Sequence, residues 1–253
     1  MSPFRERFVN HEMLVGTFIK TPTTHATEIL GLAGFDFVVI DEEHAPFDRA
    51  QTDMILLAAR AVSIAGLVRV PSLSPSSILS VLDCGAEGVL VPHIDSPEKA
   101  RELVAACRYR GGIRGFSPSS RAASYGKIPT WQQVDAADAA VAAIAMIEDP
   151  TGVESIEAIA EVEGLDGFFI GRGDLTVAYG APDRKAPVIC EAVTRILAAA
   201  RRTGKSVCVM TDSSAEASEF TAQGVSSFIV SSDQGLMKKA AQSVLNDFSV
   251  LKK

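Results

Sequence analysis

Short runs of β-branched and aromatic residues recur along the chain, and segments with helical spacing of apolar positions lie between them. Eight runs stand out: Leu14–Phe18, Phe35–Ile40, Leu67–Val70, Gly88–Val91, Ala143–Glu148, Gly167–Ile170, Ser206–Val209 and Ser227–Val230. The intervening periodic segments are Thr24–Ala33, Arg49–Ser63, Ser76–Leu82, Pro97–Cys107, Val153–Glu161 and Pro187–Arg202, several ending at a glycine such as Gly34 or Gly204. This alternation predicts parallel strands joined by crossover helices, and eight strands predict a closed barrel: an α/β fold of the (β/α)8 TIM-barrel type. No Pro/Gly/Ser linker divides the chain and no repeat is visible beyond the βα alternation, so residues 1–253 are expected to form a single domain. Gly111–Trp131, rich in Gly, Ser, Arg and Pro, is too long for an ordinary connector and is expected to be an active-site loop. The last segment, Gly235–Leu251, reads as an amphipathic helix able either to cap the barrel or to be exchanged with a neighbouring subunit.

Composition narrows the partners. With 47% hydrophobic and 22% charged residues the chain carries enough apolar material for one large core, and at 253 residues it is no disulfide mini-protein. Lys+Arg at 24 against Asp+Glu at 31 leaves a net charge of −7, which argues against a nucleic-acid partner while leaving room for small anions at local arginines. Ala139–Ile147 is about half of the roughly 20 apolar residues a membrane helix needs and is expected to be a buried strand with its approach. The N-terminal MSPFRERFVN lacks the apolar segment of a secretory signal, so the expected location is cytoplasmic. Cys84, Cys107, Cys190 and Cys208 have no zinc-ribbon or redox-pair spacing and are read as reduced core thiols.

In a (β/α)8 barrel, catalytic groups project from the C-terminal ends of the strands. Strand two runs into Asp41-Glu42-Glu43-His44, strand three ends in Arg69, strand four runs into Pro92-His93, strand five into Glu148-Asp149, and strand six into Gly171-Arg172-Gly173-Asp174. Glu148 and Asp174 lie 26 residues apart, about one βα unit, so they are expected on neighbouring strands where they can share a hard divalent cation such as Mg²⁺ or Mn²⁺, with Co²⁺ also compatible. Asp174 alone would equally serve as a helix cap. Gly171 and Gly173 would let backbone N–H groups approach an anion. His44, after an acidic turn, is a candidate general base. Arg69 at the end of an apolar strand must pair either with a protein carboxylate or with an anionic substrate. His93, His25 and His11 are weaker candidates. No nucleophile motif, phosphate-binding loop or organic-cofactor motif is present, and no strand-terminal lysine for Schiff-base chemistry appears at the eight expected strand ends.

Several ordered blocks, GFDFVVIDEEHAPFD (34–48), LVRVPS (67–72), LDCGAEGVLVPHIDSPEKA (82–100), RYRGGIRGFS (108–117) and MIEDPTGVESIEAIAEVEGLDGFFIGRGDL (146–175), with Tyr179-Gly180 following, resemble the HpcH/HpaI class II pyruvate aldolases of the phosphoenolpyruvate/pyruvate superfamily. The resemblance implies a metal-dependent lyase that reversibly cleaves a 4-hydroxy-2-oxo acid to pyruvate, or a related 2-oxo acid, plus an aldehyde through an enolate. It implies a cation on Glu148 and Asp174, Arg69 stabilising the enolate oxygen, and His44 moving the proton, steered by Asp41 and by Asp83 of an adjacent subunit. It further implies backbone N–H groups around Gly171–Asp174 receiving the oxo-acid carboxylate, and a homohexamer. Two positions depart from the pattern: Met146 stands where many relatives have glutamine, and Arg172 occupies a common proline position, where it is expected to recognise a second carboxylate or phosphate on the aldehyde part. The competing readings are a citryl- or malyl-CoA-type lyase, with the Arg108–Arg121 stretch as its only basic groove, and a non-catalytic barrel that binds metal and oxo acid.

Overall fold

The computed structural model describes residues 3–251, so the first two and last two residues of the expected 1–253 unit lie outside the described range. The chain opens with helix α1 (Phe4–Val9) and strand β1 (Leu14–Ile19), followed by α2 (Thr24–Leu32), β2 (Phe37–Asp41), α3 (Arg49–Ala61), β3 (Ala65–Arg69), α4 (Pro75–Asp83) and β4 (Gly88–Val91). The second half continues with α5 (Pro97–Cys107), α6 (Thr130–Ala140), β5 (Ala142–Ile147), the short α7 (Pro150–Glu154) and α8 (Ile156–Ala160), and β6 (Gly167–Ile170). It ends with α9 (Arg172–Ala178), α10 (Pro187–Thr203), β7 (Ser206–Thr211), α11 (Ser214–Thr221), β8 (Ser227–Ser232) and α12 (Asp233–Asp247). All eight strands pair in parallel with their sequence neighbours, and β1 pairs with β8, closing the expected barrel.

Local chemistry sets the element boundaries. Asp48 and Gln51 form a reciprocal capping box at the start of α3, and Ser74, Ser96, Ser213 and Ser232 accept backbone N–H bonds at the starts of α4, α5, α11 and α12. Proline opens α4, α5, α7 and α10, where its missing N–H costs nothing, and Gly204 in the left-handed conformation closes α10.

Two apolar layers follow from the period-2 geometry of the strands. Phe37 and Val39, Leu67, Leu90, Ile144 and Met146, Phe169, Cys208 and Ile229 point into the barrel, while Val38 and Ile40, Val68, Val89 and Val91, Phe168 and Ile170 face the helices. The end where the strands begin is plugged by α1: Phe4 and Phe8 stack with centroids 5.5 Å apart, and Phe4 lies 5.2 Å from Phe37. The inward rows continue one step beyond the apolar layers at the opposite end, and there they become polar: Lys20 after Phe18, Asp41 after Val39, Arg69 after Leu67, Glu148 after Met146, and Gly171 after Phe169.

Gly111–Trp131 joins α5 to α6 rather than a strand to a helix, so it lies at the end where the strands begin. It is held there by Ala122 N–H to the Asp83 carbonyl, a paired Arg121–Asp53 contact, and Gln133 Nε2 to the Ala122 carbonyl. The expectation of an active-site loop on the same barrel is therefore corrected: it is remote from the polar rim. Cys84, Cys107 and Cys208 are buried as expected, whereas Cys190 is exposed on α10. None of the described helices is long and apolar enough to cross a membrane.

Candidate active site

Pairing of β2 with β3 sets Asp41 beside Arg69 in register, and both point inward. Asp41 is fully buried and accepts bonds from Arg69 Nε (3.0 Å), Arg69 Nη2 (2.8 Å), Lys20 Nζ (2.8 Å) and the backbone N–H of His44 (3.1 Å). Burial alone would raise its pKa, but the hydrogen bonds from Arg69 and Lys20 outweigh it and hold Asp41 at about 2. Arg69 is thereby fixed as a planar donor, and its remaining Nη1 lies 3.3 Å from Glu43 Oε2 at the edge of a cavity of about 270 Å³. Its guanidinium also rests 4.8 Å from the Phe18 ring centroid. Of the two alternatives read for Arg69, pairing with a protein carboxylate is present: Asp41 takes one edge of the group, and the Nη1 edge lies beside Glu43 at the cavity wall.

Lys20 follows β1 directly and lines the same cavity, so a lysine does stand at a strand end, contrary to the reading from the sequence. Strand one runs one residue further than its apolar pattern indicates. The amine is engaged by Asp41 rather than free to attack a carbonyl.

Glu148 is the most unusual carboxyl at this rim. It is 3% exposed, and one oxygen accepts the His93 backbone N–H at 2.9 Å, with His93 Nδ1 at 3.5 Å. Burial pushes its carboxyl up to about 7; the His93 N–H pulls the other way, and the neighbouring charge of Asp174 adds to the rise. His93 adopts a positive φ of 55° and bonds Asp149 Oδ2 through Nδ1 at 3.0 Å. Glu43, His93 and Glu148 bring potential ligand atoms within 4.8 Å of one another. Glu43 Oε2 is buried without a hydrogen bond. A buried carboxyl with few donors, flanked by further oxygen ligands, is the environment a divalent cation relieves, so this donor set fits a hard metal ion. Asp174, exposed in the first turn of α9, lines the cavity close enough to influence Glu148. The expected pair is therefore brought to one mouth, while Glu43 and His93, not singled out as ligands from the sequence, stand beside Glu148.

The glycines divide in role. A Cβ on Gly171 would lie 2.6 Å from Glu148 Cβ, so glycine is needed there for Glu148 to pack as it does. A Cβ on Gly173 would meet open space. Arg172 is buried, with Nη1 bonded to Glu216 Oε1 at 2.7 Å, Nη2 bonded to the Met210 carbonyl, and the group stacked 4.9 Å from the Phe220 centroid. Two of its three nitrogens serve the protein itself, while the side chain lines the cavity and Nε is buried without a hydrogen bond.

His44 is exposed at the rim with Nε2 3.7 Å from Glu43 Oε2, and Asp41 meets its backbone rather than its ring. Asp83 lies at the far end of α4, at the opposite end of the barrel, with Oδ1 buried and unbonded. Burial raises its pKa despite the charges of Arg114 and Arg49. Asp83 does not meet His44 of its own chain. In the basic stretch 108–121, Arg108 bonds Val141 and Asp166, Arg110 bonds Asp135, and Arg121 bonds Asp53, whereas Arg114 stacks on Tyr109 with Nε and Nη1 buried and without a hydrogen bond. His25 bonds Thr23 and His11 lies near Ser206, both away from the cavity lining.

The sequence pattern of the family described as HpcH/HpaI aldolase/citrate lyase matches residues 14–240. A 5-keto-4-deoxy-D-glucarate aldolase of Klebsiella pneumoniae is 35% identical over 97% of this chain and 96% of its own. Among solved structures, an HpcH/HpaI aldolase/citrate lyase family protein of Burkholderia cenocepacia superposes with TM-score 0.91 at 30% identity, covering 97% of this chain and 98% of that one. The citrate synthase SbnG superposes with TM-score 0.90 at 29% identity, covering 99% and 98%.

Proposed function

We propose, from the premise that this chain belongs to the HpcH/HpaI aldolase/citrate lyase family, a mechanism in which the polar rim carries out retro-aldol cleavage. The chain is a class II aldolase, a carbon–carbon lyase that reversibly splits a 4-hydroxy-2-oxo acid into a 2-oxo acid and an aldehyde. The oxo acid is pyruvate or a close relative. The observation that carries the site assignment is Glu148: a buried carboxyl held near 7 by burial, beside Asp174, Glu43 and His93, at the mouth Arg69 faces.

Glu148 and Asp174 would hold a divalent cation, Mg²⁺ or Mn²⁺ with Co²⁺ as an alternative, and Glu43 and His93 stand within reach of the same site. When bound, the cation supplies Lewis-acid stabilisation of negative charge on the substrate oxygen. Arg69 Nη1 donates to that same developing charge, and Asp41 keeps the guanidinium oriented, which pre-organises the donor before the bond breaks. His44 Nε2 accepts the proton of the substrate C4 hydroxyl, the C3–C4 electron pair moves into the oxo-acid enolate, and the aldehyde leaves. The same imidazole returns the proton to C3. Backbone N–H groups from Gly171 to Asp174 would receive the oxo-acid carboxylate, in the room left by Gly173.

Asp83 sits at the opposite end of its own barrel from His44, so any part it takes in the proton transfer would come from a neighbouring copy. We therefore assign it to the proton machinery of a neighbouring copy in a homohexamer. Helix α12 supports exchange between subunits: it buries no residue of its own, and Met237, Val244 and Leu245 on it, with Phe248 directly after it, are exposed. The buried, unpaired thiols suit a reducing compartment, and we place the protein in the cytoplasm.

The test is release of pyruvate from 4-hydroxy-2-oxo acids after EDTA treatment and re-addition of Mg²⁺, Mn²⁺ or Co²⁺. Activity restored by metal and absent in Glu148→Ala supports the reading. Cleavage of a CoA thioester in preference to these acids would favour the acyl-CoA alternative, against which the internal pairing of Arg108, Arg110 and Arg121 already weighs.

A further inference from the structure

The rim cavity is lined by four cationic side chains, Lys20, Arg69, Arg172 and Arg184, against the single carboxylate of Asp174. A 2-oxo acid carries one negative charge, and each of the four cations also has a protein carboxylate beside it. The cations differ in how far the protein already occupies them. Lys20 and Arg69 share the fully buried Asp41. Arg172 is buried with Glu216, the Met210 carbonyl and the face of Phe220. Arg184, in the segment between α9 and α10, is 40% exposed, and among the described residues it pairs with Asp212 Oδ2 at 2.7 Å from Nη2, on a carboxylate that is itself 63% exposed. An ion pair this exposed contributes little, so a competing carboxylate can displace it.

The surroundings keep Arg184 in place. Asp212 donates its backbone N–H to Glu216 Oε2, while Glu216 Oε1 accepts from Arg172 Nη1. Arg172 thus anchors the residue following β7 that presents the Asp212 carboxylate, and acts as a positioning residue rather than as the ligand. We propose that Arg184 receives a second carboxylate, at the aldehyde end of the substrate, and so selects acids charged at both ends. The inference rests on the aldolase reading and names the substrate class of the same site. A planar guanidinium with one edge lightly held is suited to bidentate carboxylate capture, which a lysine would reproduce only in part.

The test uses the metal-loaded enzyme in the addition direction, with pyruvate and either tartronate semialdehyde or glyceraldehyde. These acceptors differ only in a carboxylate against a hydroxymethyl group. The wild type is expected to favour the acid in kcat/KM. Arg184→Ala should lower that ratio by about 10- to 100-fold, mainly through KM for the acid, and Arg184→Lys should retain part of it. Asp212→Asn, which removes the competing carboxylate, should leave the preference intact or strengthen it. An unchanged ratio in Arg184→Ala, or an equal fall with both acceptors, would overturn the assignment. Absence of addition to either aldehyde by the wild type would instead overturn the aldolase reading beneath it.

Discussion

Two carboxylates buried to the same degree sit at opposite ends of this barrel and are treated in opposite ways. Asp166, where the strands begin, has a side chain 3% exposed and accepts Arg5 Nε at 2.9 Å, Arg108 Nη2 at 3.2 Å and the Ala143 N–H at 2.8 Å. Glu148, where the strands end, is 2% exposed in its side chain and receives one backbone N–H and the edge of an exposed imidazole. At Asp166 the charge is matched by fixed partners, and Phe4 and Phe8 plug that end of the barrel. The second has left a carboxyl undercompensated in a cavity. A fold gains nothing from the latter arrangement, and the contrast separates a stabilising cluster from a site kept ready for a ligand.

Substitution of each carboxylate by its amide should separate the two ends most widely. Glu148→Gln is expected to lower kcat/KM by at least about 1000-fold, because a neutral amide cannot help hold the cation. In the presence of a chelator at pH 8 its stability should be unchanged or about 1–2 kcal/mol higher, since it removes an ionised group from a buried position. Asp166→Asn should do the reverse: a loss of about 3–5 kcal/mol in urea denaturation, because Arg5 and Arg108 lose their shared partner, with little change in KM of the folded fraction. Similar stability losses for both variants would remove the contrast.

Gly171→Ala should act between these limits. The added Cβ would collide with Glu148, so metal affinity measured by titration calorimetry should fall about 10- to 100-fold. At Gly173, where space is open, an alanine should leave metal affinity within about threefold of wild type.

The smallest effects are in pH dependence, and their signs differ between carboxyls. Glu148 rises from 4.5 to about 7 on folding, so its contribution in the metal-free protein is full below pH 4.5 and is lost as pH rises through 7. Metal affinity should move oppositely, weakening as pH falls below about 7 because a proton competes for the carboxylate. Asp41 drops from 3.8 to about 2, so its contribution of about 2 kcal/mol is present above pH 3.8 and is lost as pH falls through 2. Asp41→Asn should abolish the acid-side change and leave the neutral one. Thermal melts from pH 2.5 to 8, with EDTA and with Mg²⁺, would check all three signs.

The strands were legible because each carries a run of β-branched or aromatic residues, and the rim was legible because period-2 geometry continues the inward rows into Asp41, Arg69 and Glu148. The unread helices lacked that signal. FRERFV in α1 alternates charge with its two buried phenylalanines, the polar α11 buries only Phe220, and α9 begins inside a glycine-bearing motif that reads as a loop. Arg172 was placed on the rim correctly, but its partner Glu216 lies 44 residues away on another element, so its engagement with the protein depends on a tertiary contact. His93 depended on a left-handed backbone at a non-glycine residue, which composition does not signal. The position of the 111–131 loop did follow from order alone: a segment that follows the helix after one strand and precedes the next strand must lie where strands begin. Length and glycine content were misleading beside that topological rule.

The most direct measurement is exchange of the pyruvate methyl protons with D₂O, followed by NMR, for the wild type and Glu148→Ala, each with Mg²⁺ or Mn²⁺ and again with EDTA. Enolate formation requires no aldehyde, so the undercompensated carboxyl is tested without knowledge of the second substrate. The account predicts exchange by the metal-loaded wild type, lost on chelation and lost in the variant. Exchange that persists in EDTA, or in Glu148→Ala with metal present, would contradict it.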